Sequence, residues 1–174
     1  MAFDELYDDY EKRLAKALSM GGPDRLERRK NAGVLNARER VYYLVDKGTW
    51  VESGLFTVSH LPEDREDTPG DGKITGYGAI DGREAVIVSN DFTVKGASSS
   101  VINMKRIGQM RRTALDRGIP MVFLGESSGA RIPDNMGAYN MGAILGNDGG
   151  QYQRTREQPW TSAILGMAYG SATW

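Results

Sequence analysis

Cysteine is absent from this 174-residue sequence and histidine occurs once, as His60. The first absence excludes disulfides, thiolate nucleophiles and cysteine-based zinc sites. The second excludes a two-histidine metal motif or a histidine relay. No apolar run approaches the roughly 18 residues of a membrane-spanning helix. Neither charge sign dominates, with 22 Lys and Arg against 23 Asp and Glu. That balance leaves no broad basic field for nucleic acid and no polybasic membrane anchor. The opening residues carry Asp4, Glu5, Asp8 and Asp9, which fits neither a secretory leader nor an acid-poor transit peptide. The expectation is a soluble, cytoplasmic protein that binds neither nucleic acid nor membrane and holds no metal.

What is present is a 40% hydrophobic chain, long enough to bury one ordinary core. Glycine clusters in the C-terminal half (Gly125, Gly129, Gly137, Gly142, Gly146, Gly149, Gly150, Gly166, Gly170). Such clustering suits backbones brought close to one another or to a ligand.

Phe3, Tyr7, Tyr10, Leu14 and Leu18 recur at helical spacing, with acids early and Lys12, Arg13 and Lys16 late. This predicts an amphipathic helix stopped at Met20-Gly21-Gly22-Pro23. A basic stretch (Arg25, Arg28, Arg29, Lys30) follows, and Asn36 is placed to cap a short helix over 37–45. These helices read as an arm packed on something larger. The domain boundary falls after residue 34, with 35–174 as the main domain. Residues 61–72, with two prolines, read as a solvated charged loop, and His60 at its mouth reads as a surface histidine.

Residues 73–80 and 84–89 flank Asp81-Gly82, a hairpin signal, and 85–88 are continuously apolar, as in a strand buried on both faces. A helix over 99–117 is predicted to turn Val101, Met104, Ile107, Met110 and Ala114 inward, ending at Gly118. Met121-Val122-Phe123-Leu124 predicts another buried strand, 134–145 a small-residue helix, and 162–165 a last buried strand. Alternating strands and helices argue for an α/β layered architecture. The pattern breaks off at Trp174, just past a strand-to-helix turn, so the chain is expected to be the truncated first part of a longer subunit.

Two predicted strands end in glycine-rich turns: Gly125-Glu126-Ser127-Ser128-Gly129-Ala130-Arg131 and Gly166-Met167-Ala168-Tyr169-Gly170-Ser171. Open α/β sheets place ligands beyond the carboxyl ends of their strands. Outward-pointing amides there suit an anion or a developing oxyanion, and two adjacent turns can offer one donor each. Gly125, Ser127 and Gly129 match the Gly-x-Ser-x-Gly spacing, but no histidine follows to act as base. No Walker A motif or complete dinucleotide fingerprint occurs.

Five blocks in order carry a resemblance. They are Leu35-Asn36-Ala37-Arg38-Glu39-Arg40, then Gly48-Thr49-Trp50-Val51-Glu52, then Pro69-Gly70-Asp71-Gly72 with Ile74-Thr75-Gly76-Tyr77-Gly78, then Ser89-Asn90-Asp91-Phe92-Thr93-Val94, and Glu126-Ser127-Ser128-Gly129-Ala130-Arg131-Ile132. From about Gly33 onward the sequence resembles carboxyltransferase (β) subunits of biotin-dependent acyl-CoA carboxylases of the propionyl-CoA and acetyl-CoA type. That resemblance implies an N-terminal crotonase-like half, which binds acyl-CoA while a second half binds carboxybiotin. It implies that Gly170 and Ser171 stand where paired glycines hold the thioester oxygen, with Ser128, Gly129 and Ala130 lining the same site. Lys95, Gly96, Ala97, Arg38 and Arg131 are the candidate coenzyme A contacts. The family usually has an aspartate where Glu126 stands, and a glycine where Ser128 and Ser171 stand; the added Cβ atoms narrow the room beside the thioester. Implied partners are a biotin carboxylase and biotin carboxyl carrier, and a homo-oligomer, a dimer or trimer of dimers. Implied alternatives are a biotin-dependent malonyl-type-CoA decarboxylase and a non-catalytic CoA-binding or assembly fragment.

Overall fold

The computed structural model describes residues 2–135 and 157–170. Three helices come first: α1 (Ala2–Leu18), α2 (Pro23–Asn31) and α3 (Ala37–Leu44). The expected cap of α3 is formed: the Asn36 side chain accepts from the amides of Arg38 and Glu39, both at 3.0 Å. Glu39 closes the box by accepting the Asn36 N–H at 2.8 Å. Along α1 the apolar stripe is mostly uncovered. Phe3, Tyr7, Tyr10 and Leu18 are exposed, and only Tyr10 makes a ring contact, edge-on to Phe56 with centroids 5.9 Å apart. The arm docks instead through its C-terminal end, where Ala17 and Met20 are buried.

A five-stranded sheet of order β1-β2-β3-β4-β5 forms the body: β1 (Val51–Ser53), β2 (Lys73–Ile80), β3 (Arg83–Asn90), β4 (Met121–Ser127) and β5 (Trp160–Ala168). The β1, β2 and β3 strands pair antiparallel, while β3, β4 and β5 pair parallel. Asp81 and Gly82 make the predicted hairpin turn, both at positive φ. Along β3 the two-residue period divides the core. Ala85 and Ile87 join Ala37, Val41, Val45, Met20 and Leu124 on the α3 side. Val86 and Val88 join Met110, Ala114, Met121 and Phe123 under α4 (Val101–Arg117) on the other. Helix α4 is capped by Ser100 and ends at Gly118 in the left-handed conformation, as the pattern predicts.

Three expectations need correction. Residues 62–67 are largely exposed, but 68–72 are not a solvated loop: Thr68, Pro69, Asp71 and Gly72 are buried. Their polar groups find partners inside, so charge alone does not push them out. Arg111 is buried, not on the solvated face that its charge suggests for a helix residue, and Arg106 on the same helix is buried too. β5 is not a buried strand; eight of its nine residues are exposed and only Ala163 is partly covered. It has β4 on one edge, and Ala163 packs against the core on the α3 side. Of the helix expected over 134–145, residues 134 and 135 lie in a helix, α5 (Ile132–Asn135), and the rest lies outside the described residues.

Candidate functional site

Three turns meet at the carboxyl ends of β3, β4 and β5. The first, Lys95–Ala97, has three consecutive residues at positive φ (46°, 62° and 51°). Only Gly96 adopts that conformation without strain; Lys95 and Ala97 each store on the order of 1–3 kcal/mol. The turn is held from below and beside. Lys73 Nζ donates to Ala97 O at 2.8 Å, and the Ser128 amide donates to Gly96 O at 2.9 Å. A Cβ on Gly96 would lie 2.5 Å from Ser128 Oγ, so the two turns touch because residue 96 has no side chain.

The second turn runs from Ser127 to Arg131. It is stitched to the start of α4 by Ser99 N–H to Gly129 O and Arg131 N–H to Ser99 O, both 2.8 Å. The third is the end of β5. The Tyr169 amide donates to Ser127 O at 3.0 Å, and Gly170 follows at φ 65°. A Cβ on Gly170 would stand 3.3 Å from Gly129 Cα and 3.9 Å from Ala130 N. Within the second turn the Ser128 N–H is taken by Gly96 O and the Gly129 N–H by Ser127 Oγ at 3.0 Å. Among the described residues no acceptor takes the Ala130 N–H, and Ala130 is exposed. The chemistry on offer is therefore a backbone donor at a tight junction of turns.

Beneath the turns lies a buried polar cluster. Asp71, at φ 46° and fully buried, receives Arg131 Nη1 at 2.6 Å, the Ser100 hydroxyl, and the Asn103 amide at 3.1 Å. Asn103 Nδ2 returns bonds to Asp71 O (3.0 Å) and Ser98 O (2.8 Å). Arg106 crosses under β2 to donate to Gly70 O, Lys73 O, Ser53 O and Thr75 Oγ1. Lys73 is buried with no ion-pair partner among the described residues. Burial drives its ammonium down to about 7, against the pull of Asp71. Burial pushes the Asp91 carboxyl up, opposed by its hydrogen bonds from Thr93.

Glu126 ties the arm to the site. Its buried carboxylate takes Arg29 at 2.6 Å from α2 and Arg40 at 2.6 Å from α3, while its backbone carbonyl accepts Asn90 Nδ2 at 2.8 Å. His60 is half-buried rather than a free surface residue: its Nδ1 lies 3.2 Å from Asp134 Oδ1. Burial raises the Asp134 carboxyl, with Arg131 opposing.

The fold thus brings Ser128, Gly129, Ala130 and Gly170 together, with Gly96 and Ala97 beside them; Ser171 lies outside the described residues. Lys95 reaches Asp64 at 3.0 Å from an exposed position. Arg38 is engaged by Glu52 through two bonds of 2.5 and 3.0 Å, and Arg131 by Asp71, so both act as buried struts. Lys73 escaped notice in the sequence, and the buried polar roles of Asp71 and Arg106 were not read from it. Lysine at the start of a strand that is otherwise apolar was the one available signal for Lys73.

A mixed sheet whose parallel strands end in touching glycine turns, behind a helical arm, defines the class: a crotonase-like α/β carboxyltransferase fold. The chain belongs to the carboxyl transferase family, whose domain model matches residues 28–174. It is similar to the propionyl-CoA carboxylase carboxyltransferase subunit of Haloferax mediterranei, 34% identical over 100% of this chain and 34% of that protein. Similar, too, is the methylmalonyl-CoA decarboxylase subunit alpha of Propionigenium modestum, 35% identical over 95% of this chain and 32% of that one. Among solved structures, transcarboxylase 12S with methylmalonyl-coenzyme A bound superposes with a TM-score of 0.69 at 31% identity, covering 77% of this chain and 27% of that chain. The chain spans about a third of the length of the curated relatives it matches.

Proposed function

We propose that this chain is the acyl-CoA-binding half-site of a carboxyltransferase acting on a short acyl-CoA, propionyl- or acetyl-CoA. The observation that carries this is the junction of Gly129, Ala130 and Gly170, where an uncommitted amide borders a close approach that leaves a Cβ on residue 170 only 3.3 Å from Gly129 Cα. A thioester oxygen seated there accepts the Ala130 N–H, and Gly170 with Ser171 supplies the second donor. Negative charge grows on that oxygen as the α-proton leaves, so donors fixed in advance lower the barrier; one such donor is worth about 2.7–4 kcal/mol. The strained Lys95–Ala97 turn and Ser128 bound the path of the thioester arm. Carboxybiotin on a partner would supply CO2 for the enolate to capture, and the ureido nitrogen it frees would accept the α-proton. No side chain of this half-site is needed as a base, in keeping with a chain without cysteine and with one histidine.

Belonging to that reading are a second copy of the subunit, a biotin carboxylase with its carrier, and the cytoplasm as the place of action. Among the described residues no helix is long and apolar enough to cross a membrane. The relation to methylmalonyl-CoA decarboxylase favours a second reading in which the same donors hold the same enolate while CO2 departs from the acyl chain. Calorimetric titration with propionyl-CoA tests the half-site itself. Saturable binding, lost in Gly170→Val, is the expected result, and absence of binding to the folded chain overturns the proposal.

A further inference from the structure

The segment 60–67, between β1 and β2, is pinned to the turns by charge at two places. At one, Lys95 Nζ lies 3.0 Å from Asp64 Oδ1 and 4.0 Å from Asp67 Oδ2. At the other, His60 Nδ1 lies 3.2 Å from Asp134 Oδ1. Lys95 belongs to the first turn, and Asp134 follows the second, its amide donating to Arg131 O at 3.1 Å. The bonds that shape the segment are its own. Ser59 N–H donates to Thr68 Oγ1 at 2.9 Å, Leu61 N–H to Ser59 Oγ at 3.1 Å, and Thr68 Oγ1 to Asp64 O at 2.8 Å. A further ion pair, Glu66 with Lys16 at 3.4 Å, is exposed.

The Asp134 contact is unlike the others. Its carboxylate is fully buried, yet neither of its oxygens, nor His60 Nδ1, has a hydrogen-bond partner among the described residues. Arg131 does not fill the gap: its Nη1 is 3.6 Å from Asp134 Oδ2 and is engaged by Asp71 at 2.6 Å. A buried carboxylate without a donor is destabilising, and a charged imidazole in reach answers it. The other charges about the pair are Arg131 and Asp71 behind Asp134, and Asp64 in the segment, itself held by Lys95. Histidine is the side chain that ordinarily changes charge between about pH 5 and 8, and His60 is the one histidine of the sequence.

We propose that His60 and Asp134 form a clasp that holds segment 60–67 against the turn carrying the Ala130 amide while the imidazole is protonated, and releases it when the imidazole is neutral. His60 is then a positioning residue for that turn, acting through Asp134 and Arg131, whose own amide donates to Ser99 O at 2.8 Å. The clasp belongs to the ligand-free chain, so it stands or falls apart from the half-site reading. The experiment measures hydrogen exchange, by mass spectrometry, in peptides spanning 58–68 and 127–135. Wild type, His60→Gln and Asp134→Asn are compared at about pH 5.5 and 8, with rates corrected for intrinsic exchange. Wild-type protection in both peptides is expected to fall by about two- to fivefold on raising the pH, the worth of a partly exposed ion pair, and to stay level in both variants. Lys73 titrates in the same range with the opposite sign, but it does so in all three proteins and cancels between them. A fall that survives in His60→Gln belongs to the raised Asp134 carboxyl alone and overturns the clasp. Wild-type protection that ignores pH overturns it too. A fall confined to 58–68 overturns the positioning of the turn. Should Asp134→Asn fail to fold, His60→Gln, at a half-buried position, carries the test by itself.

Discussion

The Asp71 cluster and the β5 strand lie on opposite sides of the Gly129–Gly170 contact and are held in place by different means. Asp71 receives a guanidinium, a hydroxyl and an amide, and its neighbours Asn103, Lys73 and Arg106 each anchor a carbonyl. β5 has ladder bonds to β4 along one edge, and its apolar side chains Ile164, Leu165, Met167 and Tyr169 stay exposed. One side of the proposed donor pair is thus fixed many times over, and the other, among the described residues, chiefly by the pairing of β5 with β4. Preorganisation needs both, so β5 is the side on which a further contact has most to add.

Removing the anchor should show the largest effect. Asp71→Ala leaves Arg131 buried without its counter-ion and strips the acceptor from Ser100 and Asn103. A loss of about 3–5 kcal/mol in urea unfolding is expected; a loss under about 1 kcal/mol would mean the cluster is not what fixes the turns. Glu126→Gln should come next, at roughly 2–4 kcal/mol, because Arg29 and Arg40 both lose their charge partner. That substitution also loosens the arm, so protease sensitivity in α1 and α2 should rise with it.

Lys73→Met should act in the opposite direction. The folded pKa of Lys73 is lowered to about 7 from 10.5, so between those values the unfolded chain binds the proton that the folded chain does not. Wild-type stability should therefore climb as pH rises above about 7, and that climb should vanish in Lys73→Met. At pH 7 and below the methionine variant should be more stable by about 1–3 kcal/mol, since a buried charge gives way to an apolar chain. Loss of the bond to Ala97 O should meanwhile weaken propionyl-CoA binding, separating the positioning of the turn from stability. The smallest effect belongs to β5: Leu165→Ser should stay within about 0.5 kcal/mol, as for other exposed positions. A loss above about 1 kcal/mol that depends on protein concentration would show that a second copy covers this strand, and would end the contrast.

Much of the framework could be read in advance because its causes are local. Asp81-Gly82 sets the hairpin, the continuous apolar run 85–88 sets a strand buried on both faces, and Gly118 stops α4. The touching turns were legible as glycine-rich strand ends, and four of the five residues assigned to the thioester site come together. The buried charges were not legible. Arg131 and Asp71 are 60 residues apart, Arg29 and Glu126 are 97 apart, and Arg40 and Glu126 are 86 apart. Arg106 and Arg111 occupy positions that a helical pattern assigns to solvent because a pattern records polarity and not partners.

By itself the sequence determined which segments are strand, helix and tight turn through most of the described chain, since φ preference, capping and apolar period act over a few residues. The tertiary structure decided which charges are buried, which amide is left to donate, and that β5 lies open. Those outcomes depend on what stands across the contact, and the free energy of a charge or an amide in a protein is set by that neighbour and by the water it excludes.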